Sequence, residues 1–294
     1  MPEWPQPPAD WVYWVPMAAP VTDASGIPAS SMPASSMPAP PMPAPPMPAP
    51  PVRVAEQSRR GLIRETWFME VAFLLPGIAN AVTALVAHLG GVSDINLFST
   101  VVPGHPVENL FLGIFNYLAV GAVVPLALLL LARTGQGPGV LGLGRPSWSK
   151  DLWPGLGIAA MAYGVTLLIQ IPFATVLAHH RALFGQVAIG HVPKYYIVYG
   201  LALAAVTAIT EETLVNGYLL TRLEQLGWTP QRALLLSLTL RTSYHVYYGL
   251  GFLLTIPFGF FVTRSFQKHR RLNRPIVAHF IYDAVLITIG VLTS

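Results

Sequence analysis

The stretch YGLALAAVTAITEETLVNGYLLTRL, residues 199–223, decides the fold of this chain. Its first dozen residues are apolar enough to enter a membrane, and Glu211 and Glu212 then follow side by side. Adjacent residues of an α-helix point about 100° apart, so the two carboxylates cannot face one substrate atom. We therefore predict that one carboxylate faces a cavity and that the other supports the packing of the helix.

The composition of the whole chain is that of a membrane protein. Of its 294 residues, 53% are hydrophobic and only 10% are charged, whereas soluble domains carry about 25% charged residues. The net charge of +4 is small, and we interpret it as orientation charge of a membrane protein rather than a nucleic-acid surface. There is no cysteine, which excludes disulfides, thiolate catalysis and cysteine-bound metal.

The N-terminal segment differs from the rest of the chain. In residues 1–52 a Met-Pro-Ala unit recurs every five residues. Dense proline removes backbone donors and favours extended polyproline II, so we predict a disordered tail or tether. Most such tails are spacers, and a docking site for a proline-recognising module is the alternative. Residues 53–294 are predicted to form the transmembrane domain.

Apolar runs after Arg53 predict an all-α polytopic bundle of about seven spans. A spanning helix needs about 20 mainly apolar residues. The predicted spans are 67–89, 109–132, 152–177, 195–220, 231–249, 250–264 and 275–292. The short span at 250–264 can be continuous with its predecessor, with a bend at the sequence YYGLG.

The distribution of basic residues predicts a cytoplasmic N-terminus. With that orientation, only Arg181 and Lys194 fall outside, and Arg241 lies within a span. The other basic residues are all inside, a strong positive-inside bias: Arg53, Arg59, Arg60, Arg64, Arg133, Arg145, Lys150, Arg222, Arg232, Arg264, Lys268, Arg270, Arg271 and Arg274.

Polar residues inside the predicted spans are the candidates for function, because a charge at the bilayer centre costs about 2.5–3.5 kcal/mol. We expect Glu70 to lie near the cytoplasmic surface with a structural role. The remaining candidates fall in three helices: Glu211, Glu212, Arg241, His245, His279 and Asp283.

Two of these helices carry pairs four residues apart. Arg241 and His245 share one helix face, and so do His279 and Asp283. A carboxylate at this spacing can hold one ring nitrogen of His279 and leave the other for chemistry or a metal. A single intramembrane histidine usually only packs helices. A carboxylate with two imidazoles, however, suffices to activate water and to stabilise an oxyanion.

The depth of these residues poses a problem for the predicted span boundaries. Counting about 1.5 Å per residue places His245 nearer the outer face than Glu211 and His279. We therefore expect the sequence NGYLLTRLEQLGW to continue past the membrane surface, so that the next span starts later than Gln231.

Three motifs resemble the CPBP family, which comprises type II CAAX prenyl endopeptidases and bacterial bacteriocin-processing and immunity proteins. The family pattern is EExxxR, FxxxH and HxxxN or HxxxD on consecutive transmembrane helices. This chain has EETLVN at 211–216, RTSYH at 241–245 and HFIYD at 279–283. The resemblance covers roughly residues 150–292.

The resemblance implies a role for each motif residue. Glu211 would be the base that activates water, and Glu212 would be a supporting carboxylate. His245 and His279 would hold the attacking water or the oxyanion, and Asp283 would orient His279. Zn²⁺ bound by Glu211, His245 and His279 and a metal-free glutamate mechanism are equally open at this stage.

The chain departs from the family pattern at two positions. Asn216 stands where the pattern has arginine, and Arg241 stands where it has phenylalanine. Asn216 can bond Glu212 but cannot neutralise it. We predict that Arg241 supplies the missing guanidinium from the next helix, because intramembrane charges usually pair.

The resemblance implies an intramembrane endopeptidase in a bacterial plasma membrane that cleaves a membrane protein or a lipidated peptide. The bilayer is its other partner, and no nucleic acid is expected. One alternative is a catalytically inactive immunity or scaffold protein, which the change at Asn216 favours. The second is a small proton-coupled transporter that uses Glu211 and Glu212, although no inverted repeat relates the two halves.

Overall fold

The structure is a computed structural model, and it describes residues 56–91, 94–96, 105–179, 186–188 and 192–293. The tail predicted for residues 1–52 lies outside the described residues. The predicted transmembrane domain lies largely within them.

The described part of the chain is dominated by α-helices. Their bounds are α1 Glu56–Leu89, α2 Pro106–Gly121, α3 Val123–Arg133, α4 Trp153–His179, α5 Tyr196–Glu211, α6 Leu220–Gln225, α7 Pro230–Ser243, α8 Ile256–His269 and α9 Asn273–Thr293. Two short strands, β1 Asp94–Asn96 and β2 Gln186–Ala188, pair in parallel, with Ile95 opposite Val187.

Five helical segments are long and apolar enough to cross a membrane, which confirms the predicted all-α polytopic class. They are Arg59–Leu89, Pro106–Arg133, Trp148–Pro172, Tyr196–Gln225 and Asn273–Thr293. Large apolar side chains cover their outer surface, as lipid-facing helices require.

The other two predicted spans correspond to α7 and α8, which have 14 residues each. Such a helix is about 21 Å long, less than the hydrocarbon thickness of about 30 Å. Between them the chain forms 3₁₀ turns at Val246–Tyr248 and Leu250–Thr255. Gly249 joins these turns with a φ of +57°, which glycine adopts without strain. The bend therefore falls at the predicted YYGLG sequence.

Ion pairs gather the helix ends that carry most of the basic residues. Arg222 lies 2.7 Å from Glu65, and Arg270 lies 2.8 Å from Glu224. In addition, the Leu272 amide donates to the Gly142 carbonyl oxygen. The loops before α4 and α9 therefore lie at the same end of the bundle as the start of α1 and the end of α6.

Glu70 is buried inside the helical bundle. It is 1% exposed within α1, and neither of its carboxylate oxygens has a hydrogen-bond partner among the described residues. The preceding Met69 belongs to the main apolar core. Burial inside the bundle does not give depth in the membrane, so the position of Glu70 near the cytoplasmic surface stays a prediction.

Candidate active site

The two glutamates lie where the long fourth span changes its helical pitch. α5 ends at Glu211, and residues Glu212–Leu219 form a π-helical segment that continues into α6. π-helical turns are rare and are frequent at functional sites. The Glu211 side chain retains 14% exposure, whereas the Glu212 side chain has none. The two carboxylates therefore point into different environments, as their adjacency predicts.

Glu212 is fully enclosed by partners from three helices. Its Oε1 lies 2.9 Å from Arg241 Nη2 and 2.8 Å from His279 Nδ1. Its Oε2 accepts a hydrogen bond of 2.5 Å from the Asn216 side-chain amide. A buried carboxylate is tolerated only when it is paired and hydrogen-bonded. Glu212 therefore links the fourth span to α7 and α9.

Arg241 occupies the position that the sequence analysis predicted for a replacement cation. Its side chain is 2% exposed and contacts both carboxylates, since Nη1 also lies 3.5 Å from Glu211 Oε2. Asn216 lies on the opposite side of Glu212, where its amide oxygen accepts a hydrogen bond of 2.8 Å from the Thr263 hydroxyl. The cation that neutralises Glu212 thus comes from α7, and the residue at 216 supplies a neutral hydrogen bond.

A glycine makes room for this arginine. Gly259 lies on α8, which packs on α7. A Cβ atom at Gly259 would lie 3.0 Å from Arg241 Cδ and 2.9 Å from Leu238 Cδ2. A side chain at position 259 would force Leu238 or Arg241 to shift, so α8 helps to set the position of the guanidinium.

Glu211 faces a group of aromatic residues that follow α7. The Tyr244 hydroxyl donates a hydrogen bond of 2.6 Å to Glu211 Oε2. The neighbouring His245 Nδ1 lies 2.8 Å from the Arg241 carbonyl oxygen. Because a carbonyl oxygen only accepts, Nδ1 carries the proton of the ring. Nε2 takes no part in this hydrogen bond. The His245 ring stacks on Tyr248 with an interplanar angle of 9°.

The helix boundaries agree with only part of the expectation about depth: the fourth helical segment runs on as expected, but the expected start of the next helix later than Gln231 was wrong, because α7 begins at Pro230. The fourth span continues to Gln225, and α7 begins at Pro230 after a turn in which the Thr229 hydroxyl accepts from the Arg232 amide. His245 lies two residues after Ser243, the last residue of α7. The bond from Tyr244 to Glu211 shows that the two motifs meet at one level.

His279 lies between two carboxylates, which corrects one expectation. Its Nε2 lies 3.4 Å from Asp283 Oδ2, the predicted contact of residues four apart. Its Nδ1 contacts Glu212 Oε1, so the second nitrogen is not left free. The sequence analysis considered α9 alone and missed the acceptor from the fourth span. His279 is 5% exposed and is packed beside the Phe258 ring.

This arrangement does not fit the three-ligand zinc site considered for Glu211, His245 and His279. One nitrogen of His279 is held by Glu212 and the other faces Asp283. The Arg241 guanidinium next to Glu211 repels a second cation. Across the described ranges, no group of three or more histidine, aspartate or glutamate side chains is placed around a common metal position.

Sequence reasoning missed Tyr244, Thr263 and Gly259. Tyr244 precedes the motif histidine directly, so its hydroxyl was a candidate that the motif spacing did not single out. Thr263 and Gly259 lie on α8, for which no motif exists. Their contribution depends on how α8 packs against α7 and the fourth span, and local sequence carries no signal for that.

The fold and the site together define a polytopic α-helical membrane protein with a buried cluster of carboxylates, arginine and histidine inside the bundle. One carboxylate of the cluster is partly accessible, and the other is enclosed. Such clusters are uncommon in membranes and mark functional sites.

Comparison with protein families identifies this cluster. The model of the type II CAAX prenyl endopeptidase Rce1-like family matches residues 193–285, about a third of the chain. The matched range begins before α5 and ends in α9, so it contains all three motifs. Residues 193–285 thus match the Rce1-like type II CAAX prenyl endopeptidase family, which confirms the resemblance and supports an intramembrane protease role. Comparisons with curated proteins and with solved structures give no match.

Proposed function

We propose that this chain is an intramembrane endopeptidase in which Glu211 activates the water that cleaves a peptide bond. The observation that carries the proposal is the division between the two glutamates. Glu212 has all its partners inside the protein, whereas Glu211 keeps an accessible carboxylate beside hydrogen-bond donors. A general base must be reachable by water and must be oriented, and Glu211 meets both requirements.

The proposed reaction uses only groups of this chain. Glu211 removes a proton from water, and the oxygen of the resulting hydroxide bonds to the carbonyl carbon of the scissile peptide. The Tyr244 hydroxyl and Arg241 Nη1 are the donors near the developing oxyanion. The free Nε2 of His245 is an acceptor, because Nδ1 carries the proton, and it orients the attacking water. The C–N bond then breaks, and Glu211 returns its proton to the departing amine.

Glu212 and His279 are positioning residues in this proposal. Glu212 holds Arg241 on one side and His279 on the other, and Asp283 faces the far nitrogen of His279. Their joint effect is to fix the guanidinium beside Glu211. The arrangement supports a metal-free mechanism, because the ring nitrogens of His279 already face carboxylates.

The proposed substrate is a membrane protein or a lipidated peptide, because the accessible carboxylate lies within the bundle rather than in a loop. We place the N-terminus in the cytoplasm of a bacterium. The contacts of Arg222 and Arg270 support this orientation, since they gather the basic helix ends on one side of the membrane.

The experiment is cleavage of a panel of membrane-tethered peptides by purified protein in nanodiscs. We expect Glu211→Gln to lower the cleavage rate by about 10²–10⁴-fold, with no effect of a chelator on the wild type. Glu108→Gln is the matched control, since Glu108 is exposed on α2, far from the three motifs in sequence, and its side chain contacts the neighbouring His105. Cleavage by Glu211→Gln at the wild-type rate would refute the assignment of the base.

The other two functions predict different results. A proton-coupled carrier would show pH-dependent flux in liposomes that Glu211→Gln abolishes. An inactive immunity or scaffold protein would bind a membrane peptide without cutting it. The main argument for inactivity was the missing arginine at 216, and Arg241 weakens it by contacting Glu212 directly.

A further inference from the structure

A cleft unrelated to the charged cluster opens between the start of α4 and the start of α9. Its volume is about 390 Å³, and its surface is almost entirely apolar. That size is within the range of small-molecule sites, roughly 300–1,000 Å³. The lining residues are Pro146, Ser147, Trp148, Asp151, Leu152, Asn273, Ile276 and Val277. None of them belongs to the three motifs.

The cleft lies at a membrane boundary. Two of the membrane-spanning segments begin there, one at Trp148 and one at Asn273. Trp148 and Trp153 are 76% and 64% exposed. Tryptophan is enriched at the level of lipid headgroups because its ring is amphipathic. A cleft at this depth would lie close to both the acyl chains and the headgroups of the bilayer.

Three basic residues directly flank lining residues in the chain and form what we call the rim of the cleft: Arg145 precedes Pro146, Lys150 precedes Asp151, and Arg274 follows Asn273. The Arg274 side chain donates to the Lys150 carbonyl oxygen, which brings the two residues together. Lys150 lies in the π-helical turn Trp148–Leu152, and Arg145 precedes that turn. In the part of the chain that the structure describes, no acidic side chain pairs with these three cations. Asp151, the acidic lining residue, is instead held by Arg271 through two contacts of 2.7 and 2.6 Å.

Two neighbouring residues, His269 and Arg271, are affected by the charges around the cleft. Burial, followed by the charges of Arg274 and Lys268, lowers the pKa of His269. The bidentate bond to the Asp151 carboxylate raises the pKa of Arg271 and keeps Asp151 from neutralising the rim. Three uncompensated cations beside an apolar cleft at headgroup depth complement a ligand with a negative head and an apolar tail.

We propose that this cleft binds an anionic phospholipid, with one acyl chain in the cleft and the phosphate against Lys150, Arg145 and Arg274. Basic pockets between transmembrane helices suit such headgroups. The positive charge of the rim favours an anionic lipid over a zwitterionic lipid. The apolar wall favours a lipid over free phosphate. This site is separate from the proposed catalytic function and does not depend on it.

The test measures lipid binding to purified protein by native mass spectrometry. Phosphatidylglycerol is titrated against phosphatidylcholine with identical acyl chains, and glycerol phosphate is added as a competitor. We expect preferential retention of phosphatidylglycerol. We also expect the Lys150→Gln/Arg274→Gln variant to bind it at least tenfold more weakly, since a juxtamembrane cation contributes about fivefold. Trp148→Ala, at an exposed position, should weaken the binding of both lipids.

The matched control is Arg232→Gln/Arg264→Gln, which removes two cations from the same end of the bundle but away from the cleft. It should bind phosphatidylglycerol as the wild type does. Equal binding of the two lipids, or an equal loss in the control variant, would overturn the proposal. Displacement by glycerol phosphate alone would show a headgroup site without an acyl chain and would overturn it as well.

Discussion

Restoring the family pattern at positions 216 and 241, by Asn216→Arg and Arg241→Phe, gives the most direct test of how the buried Glu212 carboxylate is neutralised. Glu212 has three partners: Arg241 at 2.9 Å, His279 at 2.8 Å and Asn216 at 2.5 Å. Arg241→Phe removes the guanidinium and leaves Glu212 buried. Losing one partner of a buried ion pair costs about 3–5 kcal/mol. We expect a loss of this size in the free energy of unfolding.

The second substitution should restore part of this stability. Asn216→Arg places a guanidinium four residues after Glu212, on the same helix face. It also removes the acceptor for the Thr263 hydroxyl, which costs about 1 kcal/mol. We therefore expect the double variant Asn216→Arg/Arg241→Phe to recover about half of the loss, whereas Asn216→Arg alone should be destabilising.

The assay is denaturant-induced unfolding of the four proteins in one detergent. Residues in contact show coupling energies of about 0.5–3 kcal/mol, and we expect a value near the upper end. If the losses in unfolding free energy of the two single variants add in the double variant to within about 0.5 kcal/mol, the idea that an arginine at 216 can replace Arg241 is refuted. If Arg241→Phe does not fold, a double-mutant cycle with Glu212→Gln and Arg241→Gln measures the coupling between Glu212 and Arg241 directly.

Two further substitutions test the surroundings of the site. Tyr244→Phe removes the donor to Glu211 and should lower kcat by about 10²-fold with little change in KM, as loss of an oxyanion donor does; an unchanged kcat would remove Tyr244 from the reaction. Gly259→Ala should cost about 1–3 kcal/mol by overpacking against Arg241 and should reduce cleavage. Gly164→Ala in α4 is its matched control, because a Cβ there meets no atom within 4 Å; equal effects of the two alanines would contradict the steric argument.

Much of the architecture could be read from the sequence because it depends on local properties. Membrane insertion follows the hydropathy of about 20 consecutive residues, so five of the predicted spans correspond to spanning helices. The contact between His279 and Asp283 could be predicted from their spacing, since residues four apart share a helix face. The bend near Gly249 was likewise indicated by local glycines.

Other features required contacts between helices. Adjacency required that Glu211 and Glu212 diverge, but only the packing of α7 and α9 determines that Glu212 is the enclosed one. The second partner of His279 comes from a residue 67 positions earlier in the chain.

By itself, therefore, the sequence determined that this is an all-α membrane protein with three charged motifs in a given order. The tertiary structure decided which carboxylate stays accessible, where its cation comes from and which ring nitrogens are occupied. The physical reason is that hydropathy and helical periodicity act within one helix. The partners of a buried charge depend on the axial rotation and depth of neighbouring helices, which packing across the bundle determines.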